Sequence, residues 1–563
     1  MTETKRWLDA YPPDVPIELA IKNRPAYQLF EDSAQSFPNR PCLNFLGKKQ
    51  TYAEVQEQID RFAAALQQQG FQKGERLGIC LPNCPYFIVA YFGALKAGLT
   101  VVNFNPLYTE EELLFQAKDS GVSVMVTLNV QSVYPKVEAL LEKTDIRQII
   151  VCDLAEALPT FKGILLNLFK RSQLAKVAFD NRRVRFSDML AEEKPVTPIS
   201  IDPQKDIAVL QYTGGTTGVP KGAVLTHANV MANAEQVRLW LGETPPEGDK
   251  FLAVLPFFHV FAMTAVMNLG LITGSEIILI PRFDLKTVLK TIHKLRPTIF
   301  PGVPTLFAAI NNDESVGRYN LSSIRYCISG GAALPEAVQK AFVERTGCAL
   351  VEGYGLTESS PVAACNPCHT LGKVGSIGIP LPGTAIEIRD LDDVTKEVPL
   401  GERGEIVIKG PQVMLGYWQK PEETAHVLVD GWLRTGDVGY MDEDGYTFLT
   451  DRLKEIIITN GYNVYPRIIE EAFYKHPSVS EVVVIGIDDA HKGEVPKAFV
   501  TLKESEDAVT EQELLAFVKK HLNPIERPAV VEFRKTLPKT LIGKLSKKEL
   551  LAEEATKAQN AHK

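Results

Sequence analysis

The chain has 563 residues, 45% hydrophobic content and a formal net charge of -8. That length exceeds one compact domain, so two or three units are expected, and the acidic balance disfavours nucleic-acid binding, which needs a concentrated basic face. The opening MTETKRWLDAYPPDVP lacks an apolar signal region and no run of about 18 apolar residues occurs anywhere, so a cytoplasmic, non-spanning protein is expected.

In chain order, Thr51 with Glu54 reads as a capping box that opens a helix ended near Gly70, and Thr109 with Glu112 opens another. Short apolar runs at 76–81, 100–103, 123–128 and 148–153 read as strands, and a second series follows Pro203 at 207–210, 251–255, 276–280 and 325–329. Strands alternating with helices give an α/β fold, and two doubly wound sheets fit better than one very wide sheet.

Between the two series lies FKGILLNLFKRSQLAKVAFDNRRVR, 161–185. Ile164, Leu165, Leu168, Phe169 and Leu174 can form an apolar stripe at helical spacing, and seven basic residues outnumber Asp180. This is the balance of an interfacial amphipathic helix and equally of a core-facing helix with a solvated basic edge. From Ala385 the texture changes to AIEIRD, GEIVIKG and YTFLTD, separated by Gly and Asp turns, which predicts a small β-subdomain. After Asp451 a separate α+β texture follows, with strands in SEVVVIGI and KAFVTL and helices around 511–521 and 546–558.

The most informative motif is TGGTTGVPKG at 213–222. Gly214, Gly215 and Gly218 permit close backbone approach to an anion, Thr213, Thr216 and Thr217 add hydroxyl donors, and Lys221 adds positive charge. The loop is not a Walker A sequence, because Val219 and Pro220 separate Gly218 from Lys221 and no Ser or Thr follows the lysine. Alone it could equally be a Gly/Thr-rich surface turn. Four further motifs follow in order: EGYGLTE at 352–358, RTGD at 434–437, DRLKEIIITNGYNVYP at 451–466 and PKTLIGK at 538–544.

Together these five motifs resemble the adenylate-forming superfamily of acyl-CoA synthetases, luciferases and peptide-synthetase adenylation domains. The resemblance spans essentially the whole chain and is greatest to bacterial long-chain fatty-acid–CoA ligases, which it matches in NPLYTEEEL at 105–113 and GPQVMLGYWQKPEET at 410–424. It implies ATP-dependent conversion of a fatty acid to an acyl-adenylate and then to acyl-CoA, releasing AMP and pyrophosphate. Medium-chain and aryl-CoA ligases share most of these motifs, and a lipid-binding uptake scaffold with a vestigial nucleotide site is the reading from another class.

The resemblance also implies residue roles. The 213–222 loop closes over the β- and γ-phosphates, Glu358 holds Mg²⁺, Thr357 contacts the α-phosphate, and Tyr354, with Gly355 beside it, packs on adenine. Asp437 accepts the ribose hydroxyls and Arg452 contacts the ribose region. Lys544 bridges the attacking carboxylate and the α-phosphate, which would stabilise charge growing in the transition state. His259 lies near the acyl carboxylate, Phe261 and Met263 line an apolar acyl pocket, and the SGGAALPE segment with Gly331 forms a pocket wall. Read alone, Tyr354 and His259 suit a packed core and Lys544 suits the surface.

The domains implied are 1–450 for AMP and acyl binding, 451–454 as a hinge with Lys454 at its pivot, and 455–563 as a mobile C-terminal domain. CoA is the co-substrate. A homodimer and peripheral contact with the cytoplasmic face of a membrane are compatible with this reading. Two departures from the family pattern bear on local docking: lysines at 547 and 548 where arginine is common, and Ile468 where an acidic residue is common. Eight cysteines in a chain without an export signal favour reduced thiols. The CxxCH run from Cys365 to His369 lies close behind EGYGLTE, a context that argues against haem.

Overall fold

The structure, a computed structural model, describes residues 6–20, 23–191, 193–213, 220–368, 372–489, 491–503, 509–540 and 543–561, with 558–561 described by backbone alone. The large N-terminal part holds two mainly parallel sheets with helices between and around them. The first has eight strands, Gly416–Tyr417, Gly222–Thr226, Ile207–Tyr212, Thr100–Asn103, Arg76–Cys80, Val124–Leu128, Gln148–Cys152 and Arg183–Arg185, in that spatial order. Its central strands are buried along almost their full length, which is why they appear in the sequence as continuous apolar runs.

The second sheet has nine strands. Its parallel centre is Ala349–Gly355, Tyr326–Ser329, Ile299–Gly302, Lys250–Ala253 and Glu276–Leu279. The N-terminal strand Pro41–Phe45 adds to this sheet, parallel to Glu276–Leu279, and Lys48–Thr51 folds back beside it. The early strands therefore divide between the sheets, a crossover that adjacency in sequence does not suggest. Both expected capping boxes are present, at Thr51 and Thr109. The helix Pro85–Lys96 is apolar all round and almost wholly buried, packing Gly93 against Phe62 of the helix Tyr52–Gln68.

The β-rich region forms an antiparallel sheet of Ala385–Arg389, Gly404–Lys409, Trp432–Met441 and Leu428–Val429, with Thr447–Arg452 paired to the long central strand. After Arg452 the pairing partners change. Tyr462–Val464, Ile457–Thr459, Gly493–Leu502 and Val479–Asp489 build a separate sheet, with Val530–Phe533 added parallel to Gly493–Leu502. This sheet has its own core around Ile469, Phe473, Val484 and Leu514. The fold is thus α/β with a small β-subdomain and a smaller α+β C-terminal unit.

The segment 161–185 is not one helix. Thr160–Phe169 is helical, Lys170 leaves helical geometry, and Arg171–Gln173 makes a single 3₁₀ turn. Leu174 then bridges to Val130, and Arg183–Arg185 becomes the edge strand of the first sheet. The sheet edge claims this backbone, and Arg182 and Arg183 are consumed by Glu142, Glu138 and Asp180. Among the described residues no helix is long and apolar enough to cross a membrane.

Candidate active site

Parallel strands aim their carboxyl ends at one edge, and ligands of doubly wound sheets bind there. Loops leaving Ile207–Tyr212, Lys250–Ala253, Ile299–Gly302 and Tyr326–Ser329 converge on that edge, bringing Thr213, His259, Thr305 and Gly331 around a cavity of about 1020 Å³. The β-subdomain adds Asp437 and Arg452, and the C-terminal unit adds Lys544. Residues more than 300 positions apart in the chain therefore share one space.

Asp437 is buried. Its Oδ2 accepts the Tyr354 hydroxyl at 2.6 Å, and its Oδ1 lies 3.0 Å from Arg452 Nε in an ion pair that lacks hydrogen-bond geometry. A buried carboxylate oxygen without a donor is a place for a hydroxyl donor. Burial pushes the Asp437 carboxyl up, opposed by Arg452 and by the Tyr354 bond. Tyr354 is therefore fixed by its hydroxyl while its ring lines the cavity.

Thr357 and Glu358 lie on a 3₁₀ turn that follows the strand Ala349–Gly355. Glu358 Oε1 accepts the Tyr417 hydroxyl at 2.6 Å, and Lys221 Nζ sits 5.0 Å above the Tyr417 ring. Tyr417 thus links the carboxylate to the foot of the anion loop. Thr213 is held by its own N–H, which donates to the Lys221 carbonyl at 2.9 Å. Gly214, Gly215, Thr216, Thr217 and Gly218 lie outside the described residues. A single hard carboxylate lining the cavity is the donor type Mg²⁺ takes when substrate phosphates supply its other ligands, so Glu358 fits that ion.

His259 caps a short helix, its Nδ1 accepting the Phe261 N–H at 3.3 Å. Burial, and then the Lys544 charge, lower its pKa to about 3, so the ring is neutral. Lys544 stands close to the wall glycine: a Cβ built on Gly331, whose φ is +80°, would meet Lys544 Cε at 2.8 Å and Nζ at 3.0 Å. Only glycine leaves that space open. Burial and the Arg452 charge lower the Lys544 pKa to about 8, while Asp437 acts in the opposite direction. Lys454 lies on the turn Leu453–Glu455 at the cavity rim, its pKa lowered by burial and Arg452.

Phe261 lines the cavity, together with Val237, Trp240, Leu241, Ala265 and Leu269, which make one part of the wall apolar. Met263 does not. It is fully buried with its sulfur 3.6 Å from Asn103 Nδ2, because the π-helical turn Met263–Asn268 directs it into the core behind the wall. Cys365 and Cys368 also line the apolar part and hydrogen-bond to each other, whereas His369 lies outside the described residues. Sequence reasoning missed Tyr417, Trp240 and Thr305. Tyr417 stands inside GPQVMLGYWQKPEET, a matched motif to which no role had been attached.

Comparison with known proteins identifies the family. Residues 30–418 match the family model of the AMP-binding enzyme and residues 468–544 that of the AMP-binding enzyme C-terminal domain. The chain is 46% identical over 558 residues to a long-chain-fatty-acid–CoA ligase of Bacillus subtilis (strain 168), covering 98% of this chain and 99% of that one. It is 39% identical to the enzyme of the same name from Salmonella typhimurium, covering 99% of both. The solved anthranilate CoA ligase AuaEII in complex with anthranoyl-AMP superposes with a TM-score of 0.83 at 25% identity, covering 97% of this chain and 99% of that one. With both family models matched in order and full-length relatives at this identity, the chain belongs to the AMP-binding enzyme family.

Proposed function

We propose that this chain is an AMP-forming long-chain fatty-acid–CoA ligase. The observation that carries the reading is one cavity that unites Lys544, Asp437 and Glu358 with an apolar wall. A carboxylate is a poor acyl donor because its leaving group would be oxide. One acyl oxygen attacks the α-phosphorus of ATP, a P–O bond forms, and the bond to pyrophosphate breaks. The CoA thiol then attacks the carbonyl of the mixed anhydride, giving the thioester and AMP.

Each residue has a part in holding these reactants. Asp437 accepts the ribose hydroxyls through its donorless oxygen, Tyr354 lies on adenine, and Thr357 donates to the α-phosphate. Lys544 as an ammonium stabilises charge gathering between the acyl oxygen and the phosphate. Mg²⁺, when bound at Glu358, neutralises phosphate charge. His259 is neutral and borders the acyl carboxylate, and Phe261 with Trp240 and Leu269 receives the chain. Arg452 and Lys454 mark the boundary at which the C-terminal unit, 455–563, turns to exchange the two half reactions. Isotope exchange between pyrophosphate and ATP, run with acids from acetate to oleate, tests this reading: exchange should rise with chain length, and a preference for acetate or for aromatic acids would overturn it.

A second observation favours peripheral contact with a membrane. On the helix Thr160–Phe169, Phe161, Ile164, Leu168 and Phe169 are exposed, and Lys162, Lys170, Arg171 and Lys176 of the same segment are exposed as well. An apolar face with a basic rim suits an anionic bilayer surface. Sedimentation with phosphatidylglycerol vesicles at low salt should fall when Lys170, Arg171 and Lys176 are changed to Glu, and equal sedimentation would discard this helix as the contact.

A further inference from the structure

Lys544 belongs to the C-terminal unit, and its charge is useful only while it lies against Gly331. The lysine occupies the end of a small hairpin. Lys539 pairs with Leu545, the Ser546 N–H donates to the Pro538 carbonyl at 2.9 Å, and the Thr540 N–H donates to the Lys544 carbonyl at 2.7 Å. These bonds shape the hairpin but leave its position against the large domain undetermined.

A side chain of the large domain bonds the hairpin directly. The Thr305 hydroxyl, at the start of the helix Pro304–Asn312, donates to the Gly543 carbonyl at 2.7 Å. Gly543 has φ +83°, and a Cβ there would lie 3.6 Å from Thr305 Oγ1 and 4.0 Å from Val303 Cγ2, so Gly543 seats directly on the start of this helix. The hydroxyl is turned toward the other domain, one residue before the lysine. The other end of the same helix reaches the C-terminal unit as well, where Asn312 Nδ2 donates to Ser480 Oγ at 3.3 Å.

We propose that Thr305 is a positioning residue for adenylation: its bond to the Gly543 carbonyl seats the Lys544 hairpin, and it is made only while the C-terminal unit is docked for the first half reaction. The inference rests on the reading of Lys544 as the adenylation lysine. A neutral hydrogen bond across an interface contributes modestly, so its loss lowers occupancy of the docked pose without abolishing it. Thioester formation, which takes place after the hairpin has left, is indifferent to it.

The test measures both half reactions with oleate: formation of oleoyl-AMP from Mg²⁺, ATP and oleate, and conversion of presynthesised oleoyl-AMP to thioester by CoA. Thr305→Val removes the donor and keeps the shape. It should slow the first step about fivefold and leave the second within about twofold of normal. Thr305→Ser, which restores the donor, should recover the first step, and the melting temperature of each variant shows whether it is folded. Lys544→Ala is measured alongside. If Lys544→Ala loses adenylation but Thr305→Val does not, the proposal is overturned and the lysine's role stands. Equal slowing of both steps in Thr305→Val, or failure of Thr305→Ser to recover, likewise overturns it. If Lys544→Ala keeps normal adenylation, the underlying reading fails and the seating role falls with it.

Discussion

On the proposed reading, Lys544 concentrates the chemistry of this site in one ammonium group. Its pKa, lowered to about 8 by burial and Arg452, sets a pH dependence with a definite sign. The charged form is the useful one, so kcat/KM for adenylation should fall as pH rises through about 8, and Lys544→Arg should move that alkaline limb upward. An unmoved limb would assign the titration to another group. Lys544→Ala should lose acyl-adenylate formation while sparing thioester formation from presynthesised acyl-AMP, because the stabilised charge exists only in the first transition state. Loss of both steps alike would reject that division. Glu358→Gln should raise the Mg²⁺ concentration needed for half-maximal adenylation without lowering the melting temperature, and an unchanged requirement would remove the metal role. The roles assigned to motif residues separated by hundreds of positions came from the ordered motifs as a set, because Tyr354 and His259 read alone suit a packed core and Lys544 suits the surface. Tyr417 carried no such demand; its importance comes from a hydroxyl that reaches Glu358 across 59 positions. Met263 was misread because an apolar residue next to Phe261 suits a pocket and a core equally well.

At the scale of elements, the turn Leu453–Glu455 separates two sheets with different pairing partners, and it carries a dense charge cluster. Lys547 Nζ lies 2.8 Å from Glu455 and 3.9 Å from Glu470, and these carboxylates with Asp451 hold its pKa above the ordinary lysine value. Lys547→Met leaves partly buried carboxylates without their cation, and should lower stability by about 1–3 kcal/mol, measured as a lower denaturant midpoint. An unchanged midpoint would show that water replaces the lysine at no cost. Lys454→Pro would fix φ and remove a backbone donor at the pivot, so adenylation should persist while CoA transfer collapses. Normal rates for both steps would place the pivot elsewhere. The eight strands read from apolar runs were legible to within a few residues because buried parallel strands are continuous apolar runs, whereas Gly222–Thr226, Ile299–Gly302 and Ala349–Gly355 were not read as strands. The placement of Pro41–Phe45 in the second sheet was not, since its partner Glu276–Leu279 lies more than 200 residues away. The segment 161–185 misled for another reason: helical periodicity says nothing of a sheet edge that needs the same backbone.

At the scale of the whole molecule, two α/β sheets, a β-subdomain and a C-terminal unit meet around one cavity, and that meeting makes a two-step ligation feasible in a single place. Texture alone indicated the change of unit near Asp451, but composition carries no signal for rotation, and the hinge at 451–454 is implied only by resemblance. The claim that one cavity first makes an acyl-adenylate and then a thioester is tested most directly by product stoichiometry. Enzyme mixed with Mg²⁺, ATP and oleate without CoA should form oleoyl-AMP and pyrophosphate in equal amounts, up to the concentration of sites. Addition of CoA should then convert the bound oleoyl-AMP to oleoyl-CoA and AMP, again in equal amounts. Release of ADP and phosphate, or an adenylate that CoA does not consume, would contradict the account.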